Sequence, residues 1–139
     1  MIWALDASVA VKWFFTDESR RPQAMAVRGY LTAHPECFVV PHLFMSELVH
    51  VLARKSGHDA QFVENAIHLL LRLGLRTLGL DDDGWRGACR WSARGLSGYD
   101  ATYVALAEQL GGCWLTDDGA AAQKAPALAT TLAAWTSAP

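Results

Sequence analysis

The sequence predicts a single α/β domain, with a mainly parallel sheet of about four or five short strands and helices on both of its faces. Three observations predict it. Short apolar runs alternate with longer segments whose apolar residues recur at helical spacing. The length, 139 residues, suits one domain with one core. Hydrophobic residues make up 52% and charged residues only 19%, against a usual charged share of about 25%, so a core can be filled with apolar surface left for a partner.

The elements follow in order. Ile2 to Leu5 is an apolar strand ending at Asp6, and Ser8 to Phe15 is helix-friendly, which reads as strand, turn, helix. Arg21 to Ala33 is a helix, and Pro35 and Glu36 lead into a second strand, Cys37 to Val40, closed by Pro41. Leu43 to Lys55 has helical spacing, Gly57 ends it, and Asp59 caps a helix reaching about Leu73. Arg76 to Leu80 is a brief strand, after which Asp81, Asp82 and Asp83 place negative charge at the start of a helix to about Ala93. Ser97, with Asp100 three residues on, resembles a capping box for a helix to Leu110, which Gly111 and Gly112 terminate. Cys113 to Thr116 is a strand, Asp117-Asp118-Gly119 a turn, Ala120 to Ala125 a short helix and Leu128 to Leu132 a last strand. There is no repeat and no linker.

Composition removes several functions. Twelve basic and fourteen acidic side chains leave a net charge of -2, so there is no global field for nucleic acid, and any phosphate contact is local. Cys37, Cys89 and Cys113 are odd in number and contain no CxxC pair, which argues against a disulfide framework and a zinc site. The N-terminus lacks a basic lead and meets an acid at position 6, unlike a secretory signal. No apolar stretch reaches the ~18 residues that span a bilayer. A soluble, cytoplasmic protein with no membrane contact is expected.

Sites in open parallel sheets form at the carboxyl ends of strands, where this reading puts Asp6 and Asp118. Glu47 has Leu43 and Val51 four residues to either side, which sets a carboxylate on the apolar side of its helix. Asp100 opens a helix, Ala101 to Ala107, that is apolar nearly all round. A lone carboxylate in such surroundings would be protonated or would cost several kcal/mol, and no well-placed base is evident. Each acid also has a plain structural role open to it: Asp6 as a helix cap, Asp100 as half of a capping box, Glu47 paired with Arg54 or Lys55, and Asp117 and Asp118 as a turn. The conjunction decides. If the four converge, a hard divalent cation, Mg²⁺ or Mn²⁺, relieves their repulsion most directly and brings phosphoryl chemistry with it.

At these residues the chain resembles the PIN-domain family, most closely its bacterial VapC-type toxins. Leu5-Asp6-Ala7-Ser8 is similar to the family's opening motif, and Leu43 to Gly57 around Glu47 to its second acidic motif. The most specific stretch runs from Gly95-Leu96-Ser97-Gly98-Tyr99-Asp100-Ala101 to Leu115-Thr116-Asp117-Asp118, similar to the third and fourth motifs in order and spacing. The resemblance implies a three-layer α/β/α sandwich that hydrolyses RNA phosphodiesters with Mg²⁺ or Mn²⁺, leaving a 5′-phosphate and a 3′-hydroxyl. It implies Asp6 and Asp100 as metal ligands, with Glu47 and Asp118 completing the site; Asp117 stands beside Asp118 as the other possible ligand. Ser8 and Thr116 are implied to hydrogen-bond the carboxylates. A cognate antitoxin that presents an Arg to the acids, and a homodimer, are the implied partners.

For the RNA, Arg86, Arg90 and Arg94 recur at helical spacing, either as phosphate contacts or as a solvated face, and Lys12, Arg54 and Lys55 flank the acidic motifs. Trp13, Phe14 and Phe15 either stack bases or pack a core or dimer contact. The dimer is expected near Trp13 and Leu69-Leu70-Leu71. Two other readings compete: a phosphatase-like α/β hydrolase, whose nucleophile motif wants an acid where Ser8 stands, and a non-catalytic binding module with structural acids. Glu47-Leu48-Val49-His50 has the Glu-x-x-His form of a di-iron bundle, but no second such unit occurs.

Overall fold

In the computed structural model, which describes residues 1–137, five strands form one sheet in the order β3-β2-β1-β4-β5, every neighbouring pair parallel. The strands are β1 (Trp3–Leu5), β2 (Phe38–Val40), β3 (Arg76–Thr77), β4 (Cys113–Thr116) and β5 (Ala129–Thr131). The helices are α1 (Ala7–Ala10), α2 (Arg21–Ala33), α3 (Leu43–Lys55), α4 (Ala60–Leu71), α5 (Asp82–Ala93), α6 (Gly98–Gln109) and α7 (Gly119–Ala122). Together they make an α/β/α sandwich. Its inner strands are short and, save Thr116, apolar, because a parallel sheet is covered on both faces; Ala4, Leu5, Phe38, Val39, Trp114 and Leu115 have no exposed surface.

The topology locates the crevice. From β1 the chain winds outward through β2 to β3, then returns to the other side of β1 and winds outward again through β4 to β5. The winding therefore reverses between β1 and β4, and helices leaving these two strands diverge at their carboxyl ends. Asp6 follows β1 directly, and Asp117 and Asp118 follow β4. The two strands lie close because Cys113 donates its backbone N–H to Ile2 O at 2.9 Å. Gly112 permits this: a Cβ there would collide with the Ile2 carbonyl.

Asp59 and Ser97 cap their helices as read from the sequence, and Asp81, read there as charge at a helix start, is a cap as well. Asp59 accepts from Phe62 N, Asp81 from Gly84 N and Ser97 from Asp100 N, each satisfying a helix N–H that has no partner within its helix. Gly57, with φ of +70°, takes the left-handed turn between α3 and α4. α6 is buried along every residue from Ala101 to Ala107 and packs on β1, β4 and α5, as expected of a helix apolar all round.

Three elements differ from the sequence reading. The helix after β1 is α1 followed by a 3-10 turn at Val11–Trp13, and Phe14 and Phe15 lie beyond it. α4 stops at Leu71, and a left-handed Gly74 turns the chain. β3 has two exposed residues, because an edge strand has a single neighbour to hold it.

Candidate active site

Asp6, Glu47, Asp100 and Asp118 line one cleft of about 220 Å³, together with Ala7, Ser8, Val11 and Val51. Four elements deliver them: the exit of β1, the middle of α3, the first turn of α6 and the exit of β4. Asp6 is the most enclosed, 6% exposed, and both its oxygens are fixed. Ser8 N donates to Oδ1 at 2.9 Å and the indole Nε1 of Trp114 donates to Oδ2 at 2.9 Å. Burial dominates these bonds and the nearby Asp100 charge adds to it, so Asp6 is raised to about 6.

Glu47 is raised further, to about 7, again chiefly by burial and then by the charges of Asp6 and Asp100. Its Oε1 is buried with no hydrogen-bond partner in good geometry, and so is the hydroxyl of Tyr103. The two are close enough for the phenol to favour ionised Glu47, while burial first, and then the charges of Asp6 and Glu47, hold the phenol well above its ordinary range. Burial also raises Asp100; the Ser97 side chain and Lys124 oppose the rise and Asp118 adds to it. Asp118 caps α7 by accepting from Ala121 N at 2.9 Å, and is the most open of the four.

The sequence matches the family model of the PIN domain over residues 4–126. The chain belongs to the PIN-domain family. In fold, this PIN domain is similar to VapC20 of Mycobacterium tuberculosis, described as a sarcin–ricin loop cleaving toxin. The TM-score is 0.64 at 20% identity, over 81% of this chain and 85% of that one. It is also similar to PAE2754 of Pyrobaculum aerophilum, with a TM-score of 0.68 at 23% identity, over 96% of this chain and 92% of that one. Among curated proteins no sequence match is found.

The PIN domain uses the remaining candidates differently from the sequence expectation. Asp117 does not line the cleft: Lys12 Nζ sits 2.9 Å from its Oδ2, and Arg20 holds it with Nε at 2.6 Å and Nη2 at 3.1 Å. Although burial works against it, Arg20 and Lys12 keep this carboxyl below its ordinary range. Lys12 is 4% exposed, and Asp117, Glu18 and the Ser19 carbonyl occupy its ammonium, which removes it as a free phosphate contact. Lys55 pairs with Glu18.

Arg86 pairs with Asp83 on the surface, Arg94 lies over Trp91, and Arg90 lines a separate cavity with Asp81 and Glu108; none of them lines the cleft. Arg54 is exposed near the end of α3. The hydroxyls of Ser8 and Thr116 act on backbone more than on carboxylates: Ser8 Oγ accepts from Asp117 N at 3.0 Å, and Thr116 Oγ1 from Asp118 N at 3.1 Å. They shape the turn that presents Asp118. Trp13 is core, its indole donating to Ala24 O, and Phe15 stacks against Phe62.

Three residues of the site were missed. Tyr103 lies three residues after Asp100 and so on the same helix face, a spacing visible in the sequence. Trp114 falls in the last buried strand, and a buried Trp needs an acceptor for its N–H, a signal that could have found it. Lys124, tied to Gly95 O at 2.7 Å, carried no signal, since only folding brings it beside Asp100.

The donor set fits a hard divalent cation: it is all oxygen, several carboxylates repel one another, and Glu47 keeps a buried oxygen with no hydrogen-bond partner in good geometry. Among the described residues no three His, Cys, Asp or Glu side chains already close around a point. The four acids line the walls of the cleft. No helix of the described residues is long and apolar enough to cross a membrane.

Proposed function

We propose that this PIN domain is a ribonuclease dependent on Mg²⁺ or Mn²⁺, and the toxin of a pair with a cognate antitoxin. The observation that carries the reading is the gathering of Asp6, Glu47, Asp100 and Asp118 in one cleft at the point where the sheet reverses its winding. The fold shared with VapC20 supports the toxin assignment. Membership of the PIN family sets aside the phosphatase-like alternative.

When bound, a divalent cation supplies an activated water and charge stabilisation at the phosphate. The chain's own residues do the rest. Asp6, clamped by Ser8 N and Trp114, and Asp100, set by the first turn of α6, would hold the cation. Glu47, buried in the same cleft with the Tyr103 phenol near it, would complete the site or position the water. Asp118, held as the cap of α7 and the most exposed of the four, would complete the site from its solvent side. Lys124 offsets part of the negative charge at that rim.

The test is cleavage of single-stranded RNA with Mg²⁺, Mn²⁺ or EDTA. Cleavage that needs the cation and leaves a 5′-phosphate and a 3′-hydroxyl is expected. RNA left intact under all three conditions, with a folded protein, would return the acids to a structural role in a binding module.

A further inference from the structure

Beside the carboxylate cleft lies a larger cavity of about 450 Å³, lined by Leu43, Ser46, Glu47, His50, Val51 and Tyr99. The two cavities share Glu47 and Val51, so one wall of α3 runs through both. Tyr99 directly precedes Asp100 and is 67% exposed. His50 lies three residues after Glu47, hence on the same side of α3, and is also exposed. An exposed aromatic ring and an imidazole thus flank the acids from two different helices. Neither has a role in the chemistry described above.

We propose that this cavity holds the nucleobase adjoining the scissile phosphate, stacked on the Tyr99 ring, with Ser46 and His50 offering hydrogen bonds to its edge. The proposal rests on the ribonuclease reading and names a subsite of the same active site. Its chemistry suits a flat heterocycle. Leu43, Val51 and Tyr99 supply apolar surface, few polar atoms interrupt it, and no Lys or Arg lines it, so it is not a channel for the phosphate backbone. Its volume lies in the range of about 300–1,000 Å³ usual for small-ligand sites.

Position favours a base over a protein side chain. A scissile phosphate held through a cation on Asp6 and Asp100 would carry a nucleoside on each side, and this opening adjoins the acids directly. Single-stranded RNA is held in this way, by unstacked bases laid on aromatic rings, and such stacking tolerates any base.

The test uses a fluorescent single-stranded RNA carrying one cleavage site mapped with the wild-type protein, and the same RNA made abasic at the nucleotide on either side of that site. Tyr99→Ala is expected to raise KM for the intact RNA about tenfold and to change kcat little, while Tyr99→Phe and Tyr99→Trp stay near wild type. On one of the two abasic RNAs, wild type and Tyr99→Ala are expected to be equal, because the stacking partner is gone. His50→Ala is expected to alter which flanking base is preferred. Trp85→Ala, an exposed aromatic of α5 outside both cavities, is the control and stays at wild-type KM.

Wild type that cleaves, with Tyr99→Ala indistinguishable from it, overturns the subsite alone. An equal loss on intact RNA and both abasic RNAs overturns base stacking. Unchanged RNA kinetics with loss of binding to an inhibitory protein assigns the cavity to that protein instead. Wild type that cleaves no RNA in Mg²⁺ or Mn²⁺ overturns the ribonuclease reading and the subsite with it.

Discussion

Asp6 and Glu47 titrate at about 6 and about 7, above the ~4 of a free carboxyl, because burial disfavours their charged forms. Over that interval the folded protein holds protons that the unfolded chain has released. The stability these groups lend is complete below about pH 4 and is lost as pH rises to about 7. In EDTA the melting temperature is therefore expected to be higher at pH 5 than at pH 8, and a flat or rising profile would contradict the burial argument. Cations bind the deprotonated acids, so with Mn²⁺ present the stabilisation grows from pH 5 to pH 8, in the opposite sense.

Two substitutions that look equivalent in the sequence separate in the structure. Asp100→Asn removes one of several crowded charges, and the metal-free fold is expected to be as stable as wild type or slightly more so. Asp6→Asn sheds a charge too, but Ser8 N and Trp114 Nε1 donate to its two oxygens, and an amide turns an N–H toward one of them. That mismatch costs about 1–3 kcal/mol and offsets the relief. Both variants are expected to lose more than about a hundredfold in cleavage and most of the metal-induced rise in melting temperature. Normal cleavage by either variant when folded would show these acids to be structural.

At the scale of elements, the loop after α1 is fastened to the exit of β4 by a buried ammonium. Lys12 reaches Asp117, Glu18 and the Ser19 carbonyl, and Asp117 reaches on to Arg20. Lys12→Met keeps the stem and removes the charge, which leaves Asp117 and Glu18 short of a partner. A loss of about 3 kcal/mol is expected in urea unfolding, in the range found when one member of a buried ion pair is deleted. Arg54→Ala, at an exposed residue, is the comparison and should leave stability unchanged. Equal midpoints for the two variants would show that the network adds nothing. Helix limits at this scale were legible from helical spacing and the breakers that follow it, as at Arg21–Ala33 and Leu43–Lys55, neither of which opens on a side-chain cap. They were not legible after β1, where the packing of Trp13 beneath α2 decided that the helix would tighten and end.

For the whole molecule, the apolar surplus read from composition has a location. Leu69 and Leu71 are 51% and 70% exposed on α4, and Val49, Val63, Ile67 and Leu71 line an open cavity of about 440 Å³ between α3 and α4. Trp13 and Leu70, expected at the same surface, are core. A homodimer through this face is the expected assembly, since apolar patches of this kind mark interfaces. Light scattering at micromolar concentration should give twice the chain mass, and Leu71→Asp should halve it without unfolding the protein. A wild-type monomer would refute the assignment.

The sequence by itself determined the alternation of strands and helices, the caps at Asp59 and Ser97, and the candidate acids Asp6, Glu47, Asp100 and the pair Asp117 and Asp118. Each of these is written in residue type and in spacing of a few positions, which local backbone geometry translates directly. Only the tertiary structure decided what those acids meet. That Trp114 holds Asp6, that Lys12 and Arg20 draw Asp117 away from the cleft, and that Tyr99 and His50 line one cavity beside it are meetings of residues distant along the chain. Local pattern cannot encode such contacts, because they depend on the order in which parallel strands assemble: β4 returns beside β1, and this return sets the exits of the two strands next to each other.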